Sequence, residues 1–323
     1  MKVLFLDSAH PILKKKLEEN NIICHVDLKS PKEEIEKKAA TYNGIVLRSR
    51  LNIDRHFIDL FISSTSQPKF IARVGAGMEH IDVAYAESRG VKCISSPEGN
   101  RNAVAEHALG MLLALLNNIP KANAEVKKGL WLREPNRGVE LEGKTIGIYG
   151  FGNTGSAFAK VLAGFNVNVL AYDKYKKVEE SNNVKVVMPK TIFEEADILS
   201  LHLPLTSETN YLANEYFFNS FKKNIYLLNT SRGPIVNTID LVRNIKSGKI
   251  LGACLDVLEY EEGSFELLTN HTHLSEPLKF LFESNQVILT PHIAGWSFES
   301  SEKMAKILFE KIMQVFKSDF KTA

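Results

Sequence analysis

The sequence predicts an α/β protein with two parallel-sheet domains, each built from alternating strands and helices. Short apolar runs such as KVLFLD, IVLRS, FIARVG and VKCISS alternate with helical patterns up to about residue 97. A second series of strand-like runs follows: TIGIYG, VNVLAYD, DILSLHL, IYLLNT, LGACLDV and QVILTP. Alternation of this kind is typical of parallel sheets. A length of 323 residues is sufficient for two domains with well-filled cores.

The helical segments follow the same order along the chain. In the first domain, KKKLEENN, PKEEIEKKAA and HIDVAYAESRG are the predicted helices between strands. After Pro97, Gly99 and Asn102, a long apolar helix begins at AVAEHALGMLLALL and is expected to continue toward Ala122. Its surplus of apolar faces predicts helix packing within the chain or across a dimer. The closing helix, SSEKMAKILFEKIMQVF, is expected to return to the first domain.

Composition and charge exclude several classes of function. The net charge of +2 gives no broad electrostatic case for binding nucleic acid or an anionic membrane. No apolar run approaches the roughly 20 residues of a membrane span. Three cysteines lie far apart, with the spacing of neither a disulfide framework nor a metal site. We therefore expect a cytoplasmic protein with no bound metal.

A glycine-rich turn predicts the cofactor. The motif follows the strand TIGIY and opens a helix, and its residues are Gly150, Gly152, Asn153, Thr154 and Gly155. A second strand, VNVLAY, ends at Asp173. Strand, glycines, helix and distant acid together are the fingerprint of a dinucleotide-binding, Rossmann-like domain. Asp173 can bind the adenosine ribose and would repel a 2′-phosphate, which favours NAD over NADP, although Lys174 weakens that preference.

Three strand ends carry residues suited to reducing a keto acid. Ligands of open α/β sheets bind beyond the carboxyl ends of the strands, and Arg232, Glu261 and His292 follow three successive strands. We expect the arginine to hold a substrate carboxylate. The histidine would exchange a proton with the carbonyl oxygen, and the glutamate would orient it and favour its protonated form. A solvated acidic loop is the alternative for Glu261, because two further glutamates crowd the same stretch.

The chain resembles the D-isomer-specific 2-hydroxyacid dehydrogenase family nearly end to end. The motifs that carry this resemblance are RVGAGMEHID (73–82), NAVAEHALGMLL (102–113), GKTIGIYGFGNTG (143–155), HLPLT (202–206), LLNTSRGPIVN (227–237), GACLDV (252–257) and PHIAGWS (291–297). The resemblance assigns catalysis to Arg232, Glu261 and His292. It further implies cofactor contacts from Leu203, Pro204, Thr230, Asp256 and Gly295, with Asp256 holding the nicotinamide carboxamide. His202 is expected to shape the wall over the adenosine and not to take part in catalysis.

The resemblance also implies a split domain order and a flavodoxin-like first domain. Residues 1–97 plus 291–323 would form the substrate domain, and the NAD-binding domain, residues 98–290, would be inserted between them. The cleft between the domains would close on substrate, and two copies would form a homodimer through the NAD-binding domain. Val74, Gly75, Ala76 and Gly77 resemble the loop whose backbone N–H groups hold the substrate carboxylate.

The expected substrate is a phosphorylated hydroxy acid. Arg48 and Arg50 in VLRSRLNID match basic residues that face the substrate phosphate in phosphoglycerate dehydrogenases, so we expect oxidation of D-3-phosphoglycerate to 3-phosphohydroxypyruvate, the entry to serine synthesis. An ordinary basic surface loop is the alternative for this pair. The alternative enzymes are a glyoxylate or hydroxypyruvate reductase and a D-lactate dehydrogenase. A corepressor-like protein that senses NAD(H) is the alternative of another class.

Two departures from the family pattern are visible. Glu262 and Gly263 stand after the expected acid, where the family often has proline, and a long polar stretch continues to about residue 285. This leaves Glu259 and Glu262 as competitors of Glu261. The chain also ends at residue 323, and we expect no C-terminal regulatory domain and no serine feedback through one.

Overall fold

The computed structural model describes residues 1–64, 69–177, 180, 183–261 and 275–319. Contacts between Cα atoms divide the chain into two compact units. The first comprises Met1–Arg101 and the segment from Trp296 onward, and the second comprises Asn102–Gly295. The family resemblance predicts these divisions at residues 97/98 and 290/291.

The first unit is built on a five-stranded parallel sheet with the strand order β2-β1-β3-β4-β5. This is the flavodoxin-like order of a doubly wound sheet. Its strands are β1 Lys2–Phe5, β2 Ile23–Val26, β3 Gly44–Leu47, β4 Phe70–Arg73 and β5 Lys92–Ser95. The central strand β3 is buried throughout, as expected where helices cover both faces.

Five of the helices that the structure describes belong wholly to this unit, and they cover both faces of its sheet. They are α1 Pro11–Glu19, α2 Lys32–Ala39, α3 Arg55–Ile62, α4 Val83–Ser88 and the closing helix α12 Phe298–Asp319. Asp54 and Asp82 begin α3 and α4 by accepting from the backbone N–H groups of Phe57 and Tyr85. Helices α1 and α12 share a core with the sheet residues Val46 and Phe70. The C-terminal helix thus packs on the first sheet.

The long apolar helix begins and ends earlier than the sequence predicted. It runs as α5 Pro97–Leu116 and contains the division between the two units. The prediction that it continues to Ala122 is wrong, because Asn118 adopts a left-handed conformation with φ of 52° and a new helix, α6 Ile119–Lys127, begins there. The backbone turns where asparagine tolerates positive φ and proline occupies the first helical turn.

The second unit is built on a seven-stranded parallel sheet with the order β12-β11-β10-β9-β6-β7-β8. Its strands are β6 Thr145–Tyr149, β7 Asn168–Tyr172, β8 Val184–Val186, β9 Ile198–Leu201, β10 Ile225–Asn229, β11 Ile250–Leu255 and β12 Val287–Leu289. Starting from β8, this order is the dinucleotide-binding order 3-2-1-4-5-6 with a seventh strand added. The order reverses between β6 and β9, which is where such sheets bind ligands.

The remaining helices cover this second sheet. They are α7 Asn153–Val161, α8 Pro189–Glu195, α9 Glu215–Asn219, α10 Thr238–Lys246 and α11 Glu276–Glu283. Two buried clusters form the core, one on each face of the sheet. Among the helices that the structure describes, none is both long and apolar enough to cross a bilayer.

Candidate active site

The glycine motif forms a tight turn between β6 and α7. Gly150 has φ of 92°, and a Cβ there would lie 2.3 Å from the carbonyl oxygen of His202. A Cβ on Gly155 would lie 2.2 Å from the carbonyl oxygen of Gly150, so this glycine allows close packing of the helix on the turn. Open space surrounds the position that a Cβ on Gly152 would take. The turn therefore fits a pyrophosphate approaching the backbone at the start of α7.

Asp173 stands immediately after β7, beside this turn. Its carboxylate accepts from the N–H of Phe151 at 2.8 Å, Tyr175 at 3.0 Å and Lys176 at 2.8 Å. Burial acts to raise the pKa of Asp173, but the three donors outweigh it and hold the pKa below its ordinary value. A carboxylate that stays ionised at this place suits ribose hydroxyls and repels a 2′-phosphate.

The loop after β9 contributes the opposite wall of the same turn. The Leu203 side chain lies 3.0 Å from the position of a Cβ on Gly150, and the carbonyl of Pro204 accepts from the Thr209 hydroxyl at 2.6 Å. Thr154 of α7 contacts Nδ1 of His202 at 3.2 Å.

The His202 imidazole lies beneath the glycine turn as a buried structural group. Its Nε2 lies 2.8 Å from the Ser200 hydroxyl, and its ring packs 5.5 Å from the ring of Phe158. Burial lowers the pKa of His202 to about 4, so the ring is neutral at neutral pH. A neutral, hydrogen-bonded histidine under the turn supports the position of Thr154.

Arg232 begins a turn that Asn229 organises at the end of β10. The Asn229 amide donates to the carbonyl of Arg232 at 2.9 Å and accepts from the backbone and hydroxyl of Ser231. A Cβ on Gly233 would lie 1.9 Å from the carbonyl oxygen of Leu258, so only glycine allows the two loops to pack this closely. This close packing places Arg232 beside the loop that carries Glu261.

The structure distinguishes between the described glutamates of that loop. Glu261 approaches Nδ1 of His292 at 2.7 Å, and its other oxygen accepts from the backbone of Leu258. Glu259 is engaged elsewhere, with Tyr211 Oη at 2.6 Å and the backbone N–H of Thr238 at 2.9 Å. Glu262, with residues up to 274 of the polar stretch, lies outside the described residues.

His292 lies on a strained turn after β12. Its φ of 55° is in the left-handed region, which costs free energy for a residue with a Cβ. Asp256 holds this turn: its carbonyl accepts from the N–H of His292 at 2.8 Å, and its carboxylate accepts from Ile293 at 2.9 Å and Ala294 at 2.8 Å. The expected contact of Asp256 with a carboxamide stays a prediction.

Thr230 and Gly295 are the two remaining residues for which the resemblance predicts a cofactor contact, and they follow β10 and β12. The buried Oγ1 of Thr230 finds no hydrogen-bond partner among the residues that the structure describes. A buried hydroxyl in this position is suited to accept or donate a bond to a bound dinucleotide. Gly295 is the last residue of the second unit. Together with the glycine turn and Asp173, these residues fit a bound NAD.

The substrate residues predicted in the first unit occupy the ends of β3 and β4. In the loop at 74–77, Val74 donates to the carbonyl of Leu47 and the carbonyl of Gly75 accepts from Ser96. The side chain of Arg48 stacks 4.2 Å from the ring of Trp296. The role of these residues in substrate binding stays a prediction.

Arg50 contributes to the internal structure of its loop. Its Nε donates to the carbonyl of Leu6 at 2.7 Å, and its two Nη atoms donate to Ser30 at 2.9 Å and Asp27 at 2.8 Å. Three of the five N–H groups of this guanidinium are thus engaged with backbone carbonyls. The phosphate contact of Arg50 stays a prediction.

Two residues that border Asp256 were not predicted from the sequence. His107 of α5 and Thr290 after β12 contact each other at 3.0 Å, and Thr290 contacts Asp256 at 2.6 Å. The sequence shows a histidine in the middle of an apolar helix, which could have marked His107, but no local pattern identifies its partners.

Fold and site together define a dinucleotide-binding α/β protein with a histidine–carboxylate pair at the sheet edge. A model of the D-isomer specific 2-hydroxyacid dehydrogenase NAD-binding domain matches residues 109–294. The chain belongs to the D-isomer specific 2-hydroxyacid dehydrogenase family and carries its NAD-binding domain.

Known relatives differ in the substrate that their names give. A D-3-phosphoglycerate dehydrogenase of Archaeoglobus fulgidus is 34% identical over 322 residues, which are 98% of this chain and 58% of that protein. A glyoxylate reductase of Thermofilum pendens is 37% identical over 266 residues, 79% of this chain and 74% of that protein. The chain therefore spans little more than half the length of the first relative.

A solved structure of the family has the same fold. The D-lactate dehydrogenase from Aquifex aeolicus, complexed with NAD and lactic acid, superposes with a TM-score of 0.80 at 26% identity, covering 99% of this chain and 97% of that chain.

Proposed function

We propose that the protein is an NAD-dependent dehydrogenase that interconverts a D-2-hydroxy acid and the corresponding 2-keto acid. The observation that carries the proposal is the pair of Glu261 and His292, 2.7 Å apart, at strand ends adjoining the turn that presents Arg232. An acid, an imidazole and a fixed cation at one sheet edge, next to a dinucleotide-binding turn, suit this reaction.

Each residue has a role in the proposed reaction. Arg232 binds the substrate carboxylate and polarises the neighbouring carbonyl, for which a guanidinium is suited. Nε2 of His292 takes the hydroxyl proton during oxidation and returns it during reduction. Glu261 accepts from Nδ1–H, fixes the tautomer and stabilises the imidazolium. Bound NAD supplies the acceptor for the hydride that leaves C2.

The proposed cofactor contacts follow the same sheet edge. The glycine turn and the first turn of α7, with Asn153 and Thr154, would hold the pyrophosphate, and Asp173 would hold the ribose. Leu203 and Pro204 would cover the adenosine, while Thr230, Asp256 and Gly295 would border the nicotinamide. Residues 74–77 would contribute backbone N–H groups to the substrate carboxylate.

We propose D-3-phosphoglycerate as the substrate and serine synthesis as the context. The relative from Archaeoglobus fulgidus carries that name, and Arg48 is a cation suited to a phosphate dianion. Burial lowers the pKa of Arg48 from its ordinary value, but this group remains a cation at neutral pH. Because Arg50 is engaged with three carbonyls, the phosphate contact falls chiefly on Arg48.

A glyoxylate or hydroxypyruvate reductase is the second candidate, because a glyoxylate reductase is also among the relatives. Initial rates of NADH oxidation with 3-phosphohydroxypyruvate, hydroxypyruvate, glyoxylate and pyruvate separate the two. The first candidate requires a kcat/KM for the phosphorylated acid that exceeds the others at least tenfold and falls in Arg48→Met. NADH binding without turnover of any 2-keto acid would instead indicate a sensor protein.

We also propose that two copies form a homodimer through the NAD-binding unit. Large apolar side chains are exposed on and after α6: Ile119, Val126, Leu130, Trp131 and Leu132, with Trp131 78% exposed. A cluster of this kind marks an interaction surface. Light scattering of the wild type should give twice the chain mass, and Trp131→Glu should shift it toward the monomer. A cytoplasmic location is proposed from the cysteine spacing alone.

A further inference from the structure

A chain of side chains connects α5 to the turn that carries His292. Nε2 of His107 lies 3.0 Å from Oγ1 of Thr290 and 3.5 Å from Oδ1 of Asp256. Oγ1 of Thr290 lies 2.6 Å from the same Asp256 oxygen. Asp256 is 1% exposed and the side chain of His107 is 22% exposed, so water competes little for these contacts.

Counting protons fixes the direction of the hydrogen bonds. The threonine hydroxyl has one proton, and a 2.6 Å contact with a carboxylate oxygen is the distance expected when that proton lies between them. The sulfur of Met111, 3.6 Å from the hydroxyl, is a weaker acceptor. Thr290 must then accept from its other neighbour, so Nε2 of His107 carries a proton and donates it.

Asp256 transmits this constraint to the backbone of the catalytic turn. Its carboxylate accepts from the N–H groups of Ile293 and Ala294, and its own carbonyl accepts from that of His292. These bonds fix His292, whose φ is 55°, and the two residues that follow it. A residue with a Cβ stays in this conformation only when its surroundings determine it.

We propose that His107 is a positioning residue for His292, acting through Thr290 and Asp256. The donated bond fixes the Thr290 hydroxyl on Asp256, and Asp256 in turn fixes the orientation of the His292 ring toward Glu261. This inference rests on the proposed dehydrogenase function, because it concerns the group that exchanges the proton. Misplacing a reacting group by a fraction of an ångström to 1 Å lowers turnover roughly 10- to 100-fold.

Two substitutions separate the donated bond from the volume of the ring. In His107→Leu the donor is lost, whereas the amide nitrogen of His107→Gln stands near the place of Nε2 and keeps a donor. Glu106→Gln is the matched control, since Glu106 is exposed on the same turn of α5. We expect kcat to fall about tenfold in His107→Leu, to return to within about threefold in His107→Gln, and to stay unchanged in Glu106→Gln. The dissociation constant of NADH should change less than about twofold throughout.

A spectroscopic measurement decides the inference independently of turnover. Long-range proton–nitrogen NMR of the histidine side chains, with His292 assigned by His292→Gln, reports the tautomer and hydrogen bonding of that ring. His107→Leu should shift the His292 nitrogen resonances, and His107→Gln should leave them near the wild-type positions. Unchanged resonances in His107→Leu, or equal loss of kcat in both variants, would overturn the positioning role. Absence of turnover by the wild type would refute the proposed function. The His292 nitrogen resonances would still show whether His107 positions the His292 ring.

Discussion

Replacing Glu261 by glutamine removes one charge from the candidate active site and little else. The amide keeps the length of the side chain and an oxygen that can accept from Nδ1 of His292. The wild-type contact is 2.7 Å long, and both side chains are 26% exposed, so solvent screens the pair only in part. A hydrogen bond to a charged partner contributes about 1.5–3 kcal/mol. At about 1.4 kcal/mol per factor of ten, kcat should fall about 10- to 150-fold.

Steady-state kinetics with the best 2-keto acid provide the assay, and Glu259 provides the matched control. Glu259 stands two residues earlier but bonds Tyr211 and the N-terminus of α10. Glu259→Gln should therefore lower the temperature of thermal unfolding and leave kcat within about threefold of the wild type. A Glu261→Gln enzyme of full activity, or a Glu259→Gln enzyme impaired to the same degree, would refute the assignment of the acid.

Three further predictions follow from individual contacts. Glu208 accepts from Lys174 at 2.7 Å and from Tyr175 at 2.6 Å, next to Asp173. Glu208→Gln should release the lysine and strengthen NADPH binding relative to NADH binding roughly three- to tenfold at low salt. Nicotinamide fluorescence measures the two dissociation constants, and an unchanged ratio between them would contradict this prediction. Arg50→Met should lose about 1.5–4.5 kcal/mol of unfolding free energy, measured by urea unfolding, because three partly exposed hydrogen bonds of about 0.5–1.5 kcal/mol each disappear. Arg48→Met should lose less than about 1 kcal/mol. Equal losses would contradict the structural role assigned to Arg50. Burial lowers the pKa of His202 to about 4, from about 6.5 in the unfolded chain, so the unfolded state binds more protons between these two pH values. The contribution of His202 to the free energy of unfolding therefore falls as pH decreases from about 6.5 to about 4, by at most about 3 kcal/mol. The stability advantage of the wild type over His202→Gln should shrink across this range, and a constant difference would show that the ring is not buried in its neutral form.

The sequence predicted the fold class and the cofactor because both depend on local patterns. Alternating apolar runs and helical patterns give parallel sheets, and the glycine motif with Asp173 is contained in one strand–helix–strand unit. The two-sheet architecture and the family are confirmed. The end of α5 was predicted wrongly, because an apolar pattern continues past Asn118 while the backbone turns there.

Tertiary contacts determine the features of the site that local sequence patterns did not predict. Three glutamates stand close together in the sequence between residues 259 and 262. The packing of Gly233 on Leu258 and the turn at His292 determine that Glu261, and not Glu259, approaches the imidazole. The internal bonds of Arg50 join residues 20 to 44 positions apart in the chain. The partners of His107 lie on β11 and β12 loops, far from α5 in sequence. Pairings over such separations leave no local pattern.

The most direct test of the central claim is NADH oxidation by the wild type and by Arg232→Ala on the same panel of four 2-keto acids, with NADH binding measured in parallel. The proposal requires that the wild type turns over at least one acid and that Arg232→Ala loses roughly a thousandfold or more in kcat/KM while it binds NADH as the wild type does. Turnover by Arg232→Ala at the wild-type rate, or no turnover by the wild type with NADH bound, would contradict it.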